Sequence, residues 1–296
     1  MMFEHLVALE PLNLLPATVT RLRAFARRAE FFDSLPADEE ALVARAADAD
    51  AVLLNLYTSL PAKLLERCPR LRYVGLCCTL YEDGSCNVDL TAARSRGITV
   101  TGVSDYGDKG VPEFVVSALC DLLHGFHGVQ WRELPLELTE LEVGLLGLGR
   151  TGLLTAEALR FFGARVSYFS RTPKPRTGFE YLPLPALLER CEVVCSCLNK
   201  NTDLLGGEEL AGWTGGKLLL NTGLSPSFSP RHISRWLDDP TNFLVCDSEM
   251  ALGDRALLGR GNVFCPGRFG GASLQCLERL GKGVADNMAR FLQEHG

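Results

Sequence analysis

The sequence predicts an α/β protein of two lobes, each a parallel sheet covered by helices on both faces. Three observations carry this prediction. Short β-like runs alternate with helical ones in two successive sets. A glycine-rich GLGRTG stands at 147–152, between an apolar strand and a helical stretch. The 296 residues, 47% hydrophobic and 22% charged, suffice for two cores without long disorder. Repeated strand–helix–strand means parallel pairing, because each helix carries the chain back to the same end of the sheet.

In the first set, HLVAL (5–9) precedes a helix over 17–30, where Leu22, Phe25 and Ala26 fall at helical spacing. AVLLN (51–55) leads into PAKLLERCP, in which Pro61 suits a first helical turn. LRYVGLC (71–77) runs through a polar loop into DLTAARSRG, and ITVTG (98–102) closes the set. GVPEFVVSALCDLLH (110–124) is amphipathic, with Val111, Phe114, Val115, Leu119 and Leu122 along one side. The second set has six strand candidates: EVGLLGLG, ARVSYFS, CEVVCSCL, KLLLNTG, NFLVCD and NVFCP. TGLLTAEALRFFG and RHISRWLDD are helical stretches between them, and the chain from Ser273 reads as one long closing helix. The expected lobes are 1–102 completed by 267–296, and 103–266.

The net charge of −6 disfavours a nucleic-acid surface, which needs clustered Lys and Arg. No apolar run approaches the roughly 18 residues of a membrane span. MMFEHLVALEP lacks the basic start and long apolar core of a secretion signal. Eleven cysteines, an odd number with no C-x-x-C, read as reduced thiols of a cytoplasmic protein. Cys191, Cys195 and Cys197 lie in a strand-like stretch without a nearby His. They are read as small buried hydrophobes, and no metal site is expected.

GLGRTG has the context that dinucleotide binding requires, an apolar strand before it and a helix after it. Gly147 permits the tight turn, Gly149 lets the backbone approach a pyrophosphate, and Gly152 lets helix and strand pack closely. Leu148, Arg150 and Thr151 complete the turn, whose helix N-terminus offers N–H groups to phosphate. An NAD site usually carries a carboxylate at the end of the next strand. Here Ser170, Arg171 and Thr172 stand there, with Lys174 and Arg176 behind. A hydroxyl and several cations suit a 2′-phosphate, so NADP(H) is the expected cofactor. Asn199, Thr222 and Gly223, at the ends of two later strands, are further candidate cofactor residues.

LRYVGLC…NVDLTAARSRGITVTG, DYGDKGVPEFVVSALCDLL, ELTELEVGLLGLGRTG, KLLLNTG and VADNMARFL occur in one order along the chain. In them it resembles the D-isomer-specific 2-hydroxyacid dehydrogenase family of the formate/glycerate dehydrogenase type, from about Leu71 onward. The resemblance implies two Rossmann-like lobes, a flavodoxin-like substrate lobe and an NAD(P)-binding Rossmann domain, with a cleft between them. It also implies a homodimer and a small-molecule substrate. The family's chemistry uses an Arg on the substrate carboxylate, a His as proton donor and a Glu that keeps that His charged. Leu224 falls at the Arg position, Gly267 and Arg268 at the His position, and Leu252 at the Glu position if no gap is placed. Asp108 replaces a usual Thr, which removes one expected hydroxyl contact to the cofactor.

The family's substrate loop presents backbone N–H groups from small residues, which points to Cys77, Cys78 and Thr79 as substrate-binding. The loop here is longer and adds Tyr81, Glu82, Asp83 and Cys86. Its alternative reading is divergence with no chemistry. Tyr81 and Arg268 are the candidate catalytic residues. Arg268 binds an anionic substrate or polarises a carbonyl, or else it is a surface or interdomain ion-pair residue. The functional expectation is an NADP(H)-binding oxidoreductase with an atypical active site and a non-standard carbonyl or imine substrate. The alternative is a non-catalytic NADP(H)-binding sensor or scaffold. An ordinary dehydrogenase with a locally shifted alignment is opposed by the five histidines, none of which falls near the donor position.

Overall fold

The computed structural model describes residues 2–80 and 86–295. The chain separates into two compact units, Met1–Tyr106 with Ser273–Gly296, and Gly107–Ala272. In the first unit the strands are β1 (Phe3–Ala8), β2 (Ala26–Phe31), β3 (Ala51–Leu54), β4 (Tyr73–Leu76) and β5 (Thr99–Thr101). They pair in the order β2-β1-β3-β4-β5, every pair parallel. This is the flavodoxin-like order. Between them run α1 (Pro16–Arg23), α2 (Glu39–Ala46), α3 (Ala62–Glu66) and α4 (Leu90–Ser95).

Successive side chains of a strand point to opposite faces, and here both faces are buried. Val7, Val52, Leu54 and Val74 face Leu42, Leu64 and Ala93 of α2, α3 and α4. Leu6, Ala8, Leu53 and Tyr73 face the closing helix Leu274–Glu294 through Leu280, Val284, Met288 and Phe291. Ser273 caps that helix by accepting the Cys276 N–H. Each fully buried aliphatic side chain is worth about 2 kcal/mol of apolar burial, so the helix is held by its stripe.

The expected helix over 17–30 is corrected. Helix α1 stops at Arg23, and Ala26–Phe31 forms the edge strand β2, in register with β1 from Phe3↔Ala26 to Ala8↔Phe31. Its charged residues pair with those of β1, Arg27 with Glu4 and Glu30 with His5. Arg, Ala and Glu favour helices locally, and the strand exists because β1 offers it a hydrogen-bonding edge.

The second unit has β6 (Glu142–Leu146), β7 (Arg165–Phe169), β8 (Glu180–Tyr181), β9 (Val193–Ser196), β10 (Leu218–Asn221), β11 (Phe243–Cys246) and β12 (Val263–Phe264). Their order is β12-β11-β10-β9-β6-β7-β8, again wholly parallel. This is the doubly wound Rossmann order with one strand more. The two-residue β8 was not among the expected strands. Helices α5 (Gly110–His124) and α6 (Arg150–Phe161) cover one face. The other face carries α7 (Leu184–Arg190), α8 (Gly207–Gly212), α9 (Pro230–Trp236) and α10 (Glu249–Leu252).

The chain leaves the first unit after Tyr106 and returns after Ala272, each a few residues beyond the expected crossing. Val103 belongs to the first core, and Asn287 and Arg279 donate to the Gly102 and Tyr106 carbonyls. The Arg268 and Gly270 N–H groups both donate to Asp247, which holds 268–270 to the second unit.

Candidate functional site

In a parallel sheet every strand ends on the same edge, and the chemistry-bearing residues of the second unit follow those ends. After β6 the chain turns at Gly147 with φ +89°, where an L side chain would be strained. The Gly147 N–H donates to the Phe169 carbonyl at 2.8 Å, which ties the turn to β7. Gly149 is the N-cap of α6, and a Cβ placed on it meets nothing within 4 Å. A Cβ on Gly152 would instead collide with the Gly147 carbonyl oxygen. Leu148 is buried in the core, while Arg150 is exposed and Thr151 half-buried. No side-chain hydrogen bond caps α6 at Gly149 and its first turn holds no acid of its own, an arrangement in which a helix N-terminus attracts an anion.

Beyond β7, Ser170 is half-buried and its hydroxyl donates to the Thr172 carbonyl at 2.7 Å. Arg171, Thr172, Lys174 and Arg176 are exposed. The Lys174 ammonium donates to the Leu148 carbonyl at 2.7 Å, so the basic loop is fastened to the glycine-rich turn. No carboxylate lies within 170–178. These residues fit a 2′-phosphorylated dinucleotide in charge and in open backbone.

At the later strand ends, the Thr222 hydroxyl donates to the Ser196 carbonyl and Gly223 N–H to the Asn221 amide oxygen. Asn221 is fully buried and donates to the Ser225 and Ala251 carbonyls, which fixes this loop. Asn199 is exposed beyond β9. Leu224, at the expected Arg position, is half-buried, and Leu252 packs in the core around Trp213 and Phe228. Arg268 is exposed, with its N–H on the Asp247 carbonyl at 2.7 Å.

In the first unit, Cys77 and Cys78 are buried, one in each core layer, so what they can offer a ligand is backbone. Thr79 is half-buried beside them. Tyr81, Glu82 and Asp83 lie outside the described residues. The histidines have other partners: His5 on Glu30, His127 on Asp121, His232 on Ser229, His124 against Phe126 and His295 against Phe291. Burial raises the Cys195 thiol well above its ordinary value and Cys197 to about 11, which keeps both as neutral thiols. Among the described residues no group of His, Cys, Asp and Glu is gathered as a metal would need. No described helix is long and apolar enough to cross a membrane.

Sequence reasoning passed over Asp247, at the end of the wholly buried strand β11. The residue is 1% exposed. One carboxylate oxygen accepts the Gly270 N–H at 2.8 Å, and the other has no hydrogen-bond partner among the described residues. Burial pushes Asp247 up to about 6, against the lowering effect of the bonds from Gly270 and Ser248. An acid directly after an unbroken apolar strand was the available signal. The folded protein thus prefers this carboxyl protonated. Its contribution to stability is present below about pH 4 and is lost as pH rises to about 6, a change of roughly 3 kcal/mol. Asp247→Asn should therefore gain stability relative to the parent by that order between pH 4 and pH 7, read by denaturant titration at each pH. A difference that stays flat with pH would refute this assignment.

Two parallel α/β units, one with Rossmann order and an open glycine-rich turn, define a dinucleotide-fold protein. A model of the D-isomer specific 2-hydroxyacid dehydrogenase catalytic domain matches residues 7–296, and the chain belongs to that family. It is 26% identical to a hydroxypyruvate reductase of Blautia hydrogenotrophica over 282 residues, 86% of each chain. It is 25% identical to a glyoxylate reductase of Korarchaeum cryptofilum, over 88% of this chain and 84% of that one. Among solved structures, an acyclic imino acid reductase in complex with NADPH and D-Arg shares the fold. Its TM-score is 0.84 at 18% identity, covering 98% of this chain and 97% of the other. An NADPH-dependent glyoxylate/hydroxypyruvate reductase of Sinorhizobium meliloti superposes with a TM-score of 0.78 at 23% identity, over 98% and 93%.

Proposed function

We propose that this protein is an NADP(H)-dependent oxidoreductase that reduces a carbonyl or imine substrate other than a plain 2-oxoacid. The observation that carries the proposal is the loop after β7: a hydroxyl and cations without a carboxylate, fastened by Lys174 to the glycine-rich turn. Gly149 leaves backbone N–H groups open for the pyrophosphate, and Ser170 with Arg171 holds the 2′-phosphate. Asn199, Thr222 and Gly223 line the remainder of the cofactor's path. When bound, the nicotinamide supplies a hydride.

The proton must come from elsewhere than the family's His, because Arg268 stands in that segment and a guanidinium is not a proton shuttle. Arg268 can hold an anionic group or polarise a carbonyl. An iminium substrate enters already protonated and asks for no donor, which supports the imine arm of the proposal. Two solved structures of this fold are named with NADPH, which supports the cofactor arm of the reading, and one of them is named an imino acid reductase, which supports the imine arm. A homodimer is proposed on the family resemblance. Leu252 in the core and Leu224 at the Arg position favour a second reading, an NADP(H)-binding sensor without turnover.

The test is fluorescence titration with NADPH and NADH, followed by a panel of 2-oxoacids, aldehydes and imines read at 340 nm. NADPH should bind at least about tenfold tighter than NADH. An imine or aldehyde should be turned over faster than pyruvate or glyoxylate. Tight NADPH binding with no turnover across the panel establishes the sensor, and tighter NADH binding overturns the cofactor assignment.

A further inference from the structure

We infer that Asp108 is an internal anion that loosens the protein's hold on the pyrophosphate of its dinucleotide. The inference rests on the reading of the second unit as NADP(H)-binding and adds a residue that sets affinity. Helix α6 has twelve residues and no acid of its own in the first turn. The acid comes instead from the turn before α5. One Asp108 oxygen accepts the Thr151 hydroxyl at 2.8 Å, and the other lies 3.7 Å from the Arg150 guanidinium. Both partners are the variable positions of GLGRTG, between the glycines that shape the turn.

The carboxylate is held there by backbone packing on either side. A Cβ on Gly110 would strike the Gly270 carbonyl, and one on Gly271 would come within 2.7 Å of the Gly107 oxygen. The turn carrying Asp108 is thus wedged against 270–271, which Asp247 anchors in turn through the Gly270 N–H. Asp108 is only about a quarter exposed, so solvent screens its charge incompletely.

A negative charge near the N-terminus of a helix is favourable, and Asp108 takes part of the potential an incoming pyrophosphate needs. It also lies 3.7 Å from the Arg150 guanidinium and offsets part of the positive charge that side chain brings to the turn. A pyrophosphate held by the N–H groups of this turn would meet the Asp108 carboxylate and be repelled by it. Since both dinucleotides carry the same pyrophosphate, the effect is equal for NADPH and NADH. That equality separates it from any contact to the 2′-phosphate.

Asp108→Asn removes the charge and keeps an acceptor for Thr151, and Asp108→Ala removes both. Kd values for NADPH, NADH and inorganic pyrophosphate are measured on parent and variants by fluorescence and competition, with circular dichroism confirming the fold. Asp108→Asn should tighten both dinucleotides about three- to tenfold by the same factor, chiefly through slower dissociation. Inorganic pyrophosphate should follow, and the gain should shrink in high salt. Unchanged or weakened binding in both variants, with the parent binding NADPH normally, overturns the role of Asp108 alone. Binding to neither parent nor variants overturns the NADP(H) reading together with it.

Discussion

Gly152→Ala should destabilise the protein by about 2–3 kcal/mol and weaken NADPH binding by about a hundredfold. The added methyl meets the Gly147 carbonyl oxygen, which is backbone and cannot rotate away. Either α6 withdraws from the sheet or the turn at Gly147 opens, and both misplace the N–H groups that would face phosphate. Gly149→Ala is the partner experiment. Its Cβ points into open space and its φ is ordinary, so stability should change by less than about 1 kcal/mol. Binding should nonetheless fall, because that space is where the pyrophosphate would approach. Denaturant titration and fluorescence binding on both variants separate the two roles. Equal stability losses would refute the distinction.

The second large effect is expected at Ser170→Asp. A carboxylate there repels a 2′-phosphate and can accept hydrogen bonds from the free ribose hydroxyls of NADH. The ratio of NADPH to NADH affinity should fall by about a hundredfold or more, roughly 3 kcal/mol. Arg171→Ala should weaken NADPH by about tenfold and leave NADH nearly unchanged, since only the former carries the extra charge. Lys174 is a poorer target because its ammonium also holds the Leu148 carbonyl, and its loss would disturb both dinucleotides. If Ser170→Asp leaves the ratio where it was, the loop after β7 does not read the 2′-phosphate.

Much of the fold was legible because parallel sheets buried on both faces write themselves as unbroken apolar runs. AVLL, YVGL, EVGLL and FLVC are strands on that ground, with the glycine-rich turn in its expected place between β6 and α6. β2 was not legible, since ARRAEF has helix-forming residues and gains its strand form from five register pairs with β1. β8 escaped for a similar reason, as two residues paired to the edge of β7 carry no pattern of their own. The site divided in the same way. The glycines and the Ser170–Arg171 pair follow from a local motif whose physics needs only a strand and a helix.

The sequence by itself determined the two parallel α/β units, the glycine-rich turn and the absence of a carboxylate after β7. All of these depend on neighbours a few residues apart. Only the tertiary structure decided that Cys77 and Cys78 turn into the core and that Leu252 is packing rather than a failed acid. It also decided that Asp247 is buried with one oxygen unmet among the described residues and that Asp108 lies against Thr151 and Arg150. The physical reason is that burial and charge pairing are set by which strand ends and turns meet across tens of residues, and local propensity carries no record of those meetings.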